Sequence, residues 1–408
     1  MEAIGVQEPV VVVGAGQAGF SVASKLRDLG HEGPITLIGD EAQPPYQRPP
    51  LSKAYLLGEM AVDRLYLRPE DFYRQRSIVL RLSSRVESID RARREVAVND
   101  GTTLLYARLV LATGARPRQL PAAIGGTLDG VYYVRNLADI DAMAAEFKPG
   151  RRVLVVGGGY IGLEAAAVAS KLGLSVTLIE AAPRILQRVA AQETSDYFRR
   201  LHVGRFVDIR EGVGLKTLSG DGRVSKAILA DGSGLPVDFV IAGIGVDPNV
   251  ELAAGCGLDV ENGIKVDERC RTSDPVILAA GDCASFPWRD RRIRLESVGN
   301  AIDQAGSVAM SIVGKEQDYD AKPWFWSDQF DVKLQIAGLS AGHEKVFVRP
   351  GPGEAISFWY YRGAQLIAVD AMNDPRAYMV AKRLVDAGRS PDPELVIDLA
   401  MDLKSLLS

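Results

Sequence analysis

Two stretches of this chain repeat one arrangement of apolar and polar positions. In the first, Val10 to Val13 is a continuous apolar run, as in a strand buried on both faces, and Val22, Leu26 and Leu29 recur at helical spacing. A second apolar run, Ile35-Thr36-Leu37-Ile38, ends two residues before Asp40. In the second stretch Val153 to Val156 is the strand, Ile161, Ala165, Val168 and Leu172 fall on one predicted inner helix face, and Val176 to Ile179 runs into Glu180. Apolar strands return at Leu109-Val110-Leu111, Phe239-Val240-Ile241 and Val276-Ile277-Leu278, each running into small residues. Strand, helix, strand in this order predicts α/β units with parallel sheets. After Tyr319 the pattern changes to short alternating runs at 334–336, 346–348 and 356–360, which predict an antiparallel sheet, followed by a helix over Met379 to Ala387.

Between each first strand and its helix stands a glycine turn. These are Gly14-Ala15-Gly16-Gln17-Ala18-Gly19 and Gly157-Gly158-Gly159-Tyr160-Ile161-Gly162. The first glycine permits the tight turn, the second lets a pyrophosphate approach the backbone, and the third lets the helix pack on the strand. Free N–H groups at the helix start then meet the phosphates, and an acid about 20 residues on accepts from a ribose. Asp40 and Glu180 stand at those positions, so the chain is expected to hold two dinucleotides.

Charge and composition narrow the class. The chain has 408 residues, 47% of them hydrophobic, which provides for two or three domains. A formal charge of −4 argues against nucleic-acid binding. No apolar run approaches the roughly 20 residues that span a membrane, and the N-terminus lacks a basic start and a cleavage site, so a cytoplasmic enzyme is expected. Cys256, Cys270 and Cys283 form no Cys-x-x-Cys and none lies near the first turn, where a disulfide reductase keeps its pair. They read as small buried residues, and a thiol relay is not expected. His31, His202 and His343 match no metal spacing, so no metal site is expected.

The order of fingerprint, Ala112-Thr113-Gly114, second fingerprint and Ala280-Gly281-Asp282 resembles the two-dinucleotide-binding-domain flavoproteins of glutathione-reductase-like fold. Within that superfamily, Pro45-Tyr46-Gln47-Arg48-Pro49-Pro50-Leu51-Ser52-Lys53 and Pro323-Trp324-Phe325-Trp326-Ser327-Asp328-Gln329 resemble the ferredoxin reductases of bacterial oxygenases. The resemblance implies an α/β fold of two Rossmann-like domains plus a C-terminal α+β domain. It implies an FAD-binding domain over 1–115 and 246–320, an NAD-binding domain over 116–245, and a C-terminal domain over 321–408. Hydride would pass from NADH to FAD, and single electrons onward to a [2Fe–2S] ferredoxin. That ferredoxin would supply a cytochrome P450 or a Rieske ring dioxygenase, with the long motifs leaning to the P450 systems. On the glycines alone, a related NADH:acceptor flavin oxidoreductase stays open.

Carried over residue by residue, the resemblance implies that Gly14, Ala15, Gly16, Ala18, Gly19 and Asp40 hold the adenosine half of FAD. Arg48, Lys53, Val86, Ala112, Thr113, Gly114 and Arg135 would line the path to the ring, Asp282 would bond the ribityl chain, and Val298 would lie at the pyrimidine edge. Gly299 stands where the family often has glutamine. Lys53 is expected near flavin N5 and paired with Glu164, where an ammonium stabilises reduced flavin and a carboxylate limits that effect. Gly157, Gly159, Tyr160, Ile161, Gly162, Glu164, Glu180 and Gly245 are implied as the NADH surface, with Tyr160 the aromatic cover of the flavin. Lys53, Glu164 and Tyr160 are thus the candidate catalytic residues. Glu180 should accept a ribose 2′-OH and repel a 2′-phosphate, favouring NADH, with Arg184 nearby able to soften that preference. Two features keep alternative readings: Trp324 and Trp326 read as core or as an aromatic edge toward flavin or partner, and Trp288 to Arg294 as a solvated hairpin or a positive patch that steers an acidic ferredoxin.

Overall fold

In the computed structural model, which describes residues 7–315 and 317–407, Val10–Val13 is the central strand of a five-stranded parallel sheet. Residues 1–6, which begin the N-terminus read for a leader, lie outside the described residues. Ile35–Ile38 and then Ile78–Arg81 lie on one side of Val10–Val13, and Arg108–Leu111 and then Ile277–Ala279 on the other. A strand with neighbours on both edges that is buried on both faces has no polar side, which accounts for its four valines. Sheet growth reverses between Val10–Val13 and Arg108–Leu111, so their carboxyl ends flank a topological switch point, the place where open α/β sheets bind ligands. Helix Gln17–Asp28 buries Val22 and Leu26, and helix Val298–Ile312 buries Ala305, Val308 and Ala309, in one core with the sheet. This unit is built from Met1–Gln47, Val62–Arg116 and Asp247–Pro323.

The second unit comprises Arg48–Ala61, Pro117–Val246 and Trp324–Ser408. Its parallel sheet has the order Val207–Glu211, Ser175–Glu180, Arg152–Val156, Phe239–Ala242, Val131–Tyr132, with the switch point beside Arg152–Val156. Its antiparallel sheet has the order Trp324–Gln329, Val332–Gly338, Gln365–Met372, Ile356–Arg362, Lys345–Pro350. Helix Pro375–Asp386 lays Ala377, Val380, Ala381 and Leu384 against Trp359 and Val369 of that sheet. The helix starts four residues before the span expected from apolar spacing. Asp374 caps it by accepting from the Ala377 N–H at 2.8 Å, and Pro375 fills the first position, where no N–H is needed. The fold class is therefore two Rossmann-like halves and a C-terminal α+β domain.

One expected core position is corrected. On helix Tyr160–Lys171, Ala165 and Val168 are buried, but Ile161 is 41% exposed. Side chains lean toward the helix N-terminus, so a residue in the first turn overhangs the sheet edge instead of covering it.

The two glycine turns share one geometry. Gly14 (φ +111) has no room for a Cβ, which would lie 2.1 Å from the Ala112 carbonyl oxygen; at Gly157 (φ +109) the Gly243 carbonyl oxygen stands at 2.4 Å. A Cβ on Gly19 would lie 1.9 Å from the Gly14 oxygen, and one on Gly162 would lie 2.1 Å from the Gly157 oxygen. At Gly16 and Gly159 a Cβ meets nothing within 4 Å. First and third glycines are thus demanded by the protein, while the middle one faces open space. Gly162→Ala should cost about 3 kcal/mol in urea unfolding, because backbone must move. Gly159→Ala should cost less than about 1 kcal/mol. Equal losses at the two positions would contradict this division.

Candidate functional site

In the first unit, Asp40, Ala112, Thr113, Gly114 and Asp282 all follow carboxyl ends of the parallel sheet, and Ala15, Gly16, Ala18 and Gly19 lie on the turn and helix start between them. Thr113 Oγ1 donates to the Asn249 carbonyl at 2.7 Å, and Asn249 Nδ2 donates to the Thr113 carbonyl at 2.8 Å, which pins the small-residue strand end. Gly281 (φ +84) donates its N–H to Gln304 Oε1 at 2.8 Å, and a Cβ there would fall 2.9 Å from that of Ala18. Asp282 is thereby held beside the starts of helices Gln17–Asp28 and Val298–Ile312. Val298 opens the latter behind the capping Ser297, and Val86 is buried at the start of strand Val86–Asp90. Asp40 is exposed, with Arg85 Nη2 3.3 Å away. An open middle glycine, free N–H groups at a helix start and an acid at the next strand end are the donor set that a dinucleotide requires.

In the second unit Glu180 is fixed against its own fingerprint. Its Oε2 accepts from the Gly158 N–H at 2.7 Å and its Oε1 from the Ala182 N–H at 2.8 Å. Arg184 is turned to other work: it donates to the carbonyls of Ala190 (2.8 Å), Ala191 and Gln187 and to Ser195 Oγ. Arg188 and Arg118, which sequence reading passed over, flank Gly245 (φ +107). Arg48 Nη1 donates to the Arg135 carbonyl at 2.8 Å. Tyr160 opens helix Tyr160–Lys171 with its ring 4.8 Å from that of Phe325. Its hydroxyl is buried without a hydrogen-bond partner among the described residues. Burial, reinforced by Asp370, holds that phenol well above its ordinary pKa, so it stays neutral.

Glu164 lies one turn after Tyr160 on the same helix face, with 5% side-chain exposure. Lys53 Nζ is 2.7 Å from its Oε2, and Ser52 Oγ donates to that oxygen at 2.8 Å. Both come from the turn Leu51–Tyr55, in which Lys53 leaves helical geometry and also donates to the Pro49 carbonyl at 3.1 Å. Ser327 Oγ donates to Glu164 Oε1 at 2.7 Å, Gln329 Nε2 to Ser327 Oγ at 3.1 Å, and His202 Nε2 meets Gln329 Oε1 at 2.8 Å. Ser52, Ser327, Gln329 and His202 were all missed from the sequence. No local signal marks them, because polar residues alternating along a strand read as its solvent face, whereas Ser327 and Gln329 are buried.

Trp324 and Trp326 stack at 5.6 Å, half-buried, on the opposite side of that strand from Ser327. The basic run is revised. Arg292 donates to the carbonyls of Val266 (2.9 Å) and Ser285 (2.5 Å), and Arg294 binds the Asp282 carbonyl and Glu296. Of the hairpin's four arginines Arg289 and Arg291 are exposed, with Asp290 exposed between them, and both arginines lie over the Trp288 ring. Cys270 and Cys283 are fully buried. Among the described residues no cluster suits a metal, and no helix is long and apolar enough to cross a membrane.

Comparison with known proteins matches residues 8–305 to the family model described as pyridine nucleotide-disulphide oxidoreductase, and 324–407 to that described as reductase C-terminal. The chain is 42% identical to putidaredoxin reductase of Pseudomonas putida, covering 98% of this chain and 96% of that protein. It is 42% identical to rhodocoxin reductase of Rhodococcus erythropolis, covering 97% and 93%. Among solved structures it matches the covalent putidaredoxin reductase-putidaredoxin complex with a TM-score of 0.95, at 42% identity, over 98% of each chain.

His202 yields a pH prediction. Burial pushes its pKa down to about 4, against a partial rise from the Gln329 hydrogen bond. A base whose folded pKa is depressed contributes stability above its unfolded pKa of 6.5 and loses it as pH falls through about 4. The stability advantage of the parent over His202→Asn should therefore shrink between pH 6.5 and 4, by on the order of 3 kcal/mol. Urea unfolding midpoints at pH 4, 5.5 and 7 check this, and a constant gap would refute it.

Proposed function

Because the chain belongs to the pyridine nucleotide-disulphide oxidoreductase family, we propose that it is an FAD-dependent NADH:ferredoxin reductase that supplies electrons to a cytochrome P450 monooxygenase. The observation that carries this reading is a pair of complete dinucleotide turns on one chain whose three cysteines are all unpaired. FAD held here would supply two-electron acceptance of hydride from NADH and one-electron release, which suits a [2Fe–2S] ferredoxin. The work of this chain is to bind, orient and tune. Gly14, Ala15, Gly16, Ala18, Gly19, Asp40, Arg48, Lys53, Val86, Ala112, Thr113, Gly114, Arg135, Asp282 and Val298 would hold FAD. Gly157, Gly159, Tyr160, Ile161, Gly162, Glu180 and Gly245 would receive NADH, and the exposed Ile161 offers it an apolar surface. Lys53 and Glu164 set the charge felt at the flavin. No side chain is needed as a general base, so positioning and electrostatics carry the rate. The domain limits we propose are 1–115 with 246–320 for FAD, 116–245 for NAD and 321–408 for the C-terminal domain. The setting is cytoplasmic.

Anaerobic stopped flow tests the reading: NADH should bleach the yellow protein, and a P450-type [2Fe–2S] ferredoxin should restore the colour. Turnover with small organic acceptors but with no [2Fe–2S] ferredoxin would overturn it in favour of a related NADH:acceptor oxidoreductase. Restoration by a ring-dioxygenase ferredoxin alone would reassign the terminal oxygenase. With Glu180 held in place and Arg184 engaged with backbone, the specificity constant for NADH should exceed that for NADPH by about tenfold or more. Comparable values would remove Glu180 from its role. Reversing Arg289 and Arg291 to Glu should slow association with ferredoxin at low salt by about tenfold and leave NADH-ferricyanide turnover intact. Equal loss in both assays would point to misfolding.

A further inference from the structure

We propose that Ser327, Gln329 and His202 are positioning residues for the Lys53–Glu164 pair, forming a hydrogen-bond chain that runs one way toward the Glu164 carboxylate and offsets the negative charge facing Lys53. The direction follows from proton counting. Glu164 is an acceptor at both oxygens: Oε2 takes Lys53 and Ser52, and Oε1 takes the single proton of Ser327. Having given that proton away, Ser327 can only accept from Gln329, so the amide must present Nε2 to the serine and Oε1 to His202. The reverse amide orientation would ask one serine proton to serve two acceptors. An amide oxygen only accepts, so His202 carries its proton on Nε2. Its Nδ1 is then a bare lone pair, consistent with a buried Nδ1 that has no hydrogen-bond partner. The charge on Glu164 thus dictates the histidine tautomer three residues away in the chain.

Ser327, Gln329 and His202 all have 0% exposure, and Glu164 has 5%. Water cannot stand in for a missing member. Ser327 and Gln329 are two apart on strand Trp324–Gln329 and so share a face, which links Glu164 of helix Tyr160–Lys171 to His202 of helix Gln192–Val203. Without the Ser327 hydroxyl, Oε1 is left bare in a dry site. More of the carboxylate charge then acts on Lys53, and the positive field that favours reduced flavin weakens. This inference rests on the reading that Lys53 tunes the flavin.

The test is a redox titration of the FAD-loaded protein at pH 8. Ser327→Ala should lower the midpoint potential so that, at the parent's midpoint, the reduced-to-oxidised ratio falls by about tenfold, or about 30 mV for a two-electron couple. Gln329→Leu should give a smaller shift of the same sign, and Ser327→Thr, which keeps the hydroxyl, should hold the parent value. In a Lys53→Met background, which must itself shift the potential, the Ser327→Ala shift should fall by more than half. An unchanged potential in Lys53→Met overturns the reading of Lys53 and this proposal with it. A shift in Lys53→Met with none in Ser327→Ala or Gln329→Leu overturns the chain alone, as does a full Ser327→Ala shift in both backgrounds. Should Ser327→Ala fail to fold, as judged by thermal melting, Gln329→Leu decides.

Discussion

A carboxylate buried to 5% exposure is the constraint around which the second unit is arranged. Removing two charges from water costs several kcal/mol per ion, and the attraction between Lys53 and Glu164 at 2.7 Å is worth about 6 kcal/mol at an effective dielectric of about 20. The pair alone comes near to breaking even. Hydrogen bonds to a charged group add roughly 1.5–3 kcal/mol each, so the hydroxyls of Ser52 and Ser327 decide the balance. Three separate pieces of chain must therefore meet at one side chain: the proline-rich turn at 49–55, helix Tyr160–Lys171 and strand Trp324–Gln329. That requirement accounts for serine and glutamine at strand positions where a valine would otherwise fill the core. It also accounts for the backbone break at Lys53, which lets the ammonium reach Pro49 and Glu164 together.

The two fingerprints are alike in backbone and differ in company. Each has a first and third glycine closed off by a carbonyl oxygen and a middle glycine open to a ligand. Around the first, the turn at 112–114 is pinned through Asn249, and Asp282 is held beside two helix starts. Around the second, the company is different. Glu180 is clamped by two backbone N–H groups, Tyr160 rests on Phe325, and Ile161 is left exposed at the helix start. On the proposed reading the first fingerprint serves a resident cofactor and the second a coenzyme that comes and goes.

The parallel sheets, their switch points and both glycine turns are legible in the sequence because they rest on local spacing: valine runs, helical periodicity and acids at fixed offsets. The charged pair is legible only through resemblance, since nothing local ties Lys53 to a residue more than a hundred positions on. Ser327, Gln329 and His202 are illegible for a physical reason. A polar residue alternating along a strand reads as the solvent face, and only two helices from distant chain segments make that face the interior. The arginines of the hairpin mislead in the opposite sense. Charge in a sequence carries no sign of whether it meets solvent or backbone carbonyls, and Arg292 and Arg294 meet carbonyls. Ile161 fails because periodicity has no knowledge of where a sheet ends.

The family's description speaks of disulphides, and the cysteines show why this chain must send its electrons elsewhere. Thiol–disulfide exchange needs a thiolate that can be reached, beside a second sulfur. Cys270 and Cys283 are fully buried, and burial pushes the Cys270 thiol up to about 12 and raises that of Cys283 as well. Cys256 is less enclosed, yet burial raises its thiol too, and none of the three is paired. Electrons delivered as hydride therefore have no sulfur to pass through on this chain. They can leave only by direct transfer to an acceptor that approaches the protein, one electron at a time if that acceptor is an iron–sulfur cluster. What the protein can adjust in such a transfer is the charge beside the flavin. On the proposed reading, that adjustment falls to Lys53 and Glu164, and to whatever holds Glu164 still.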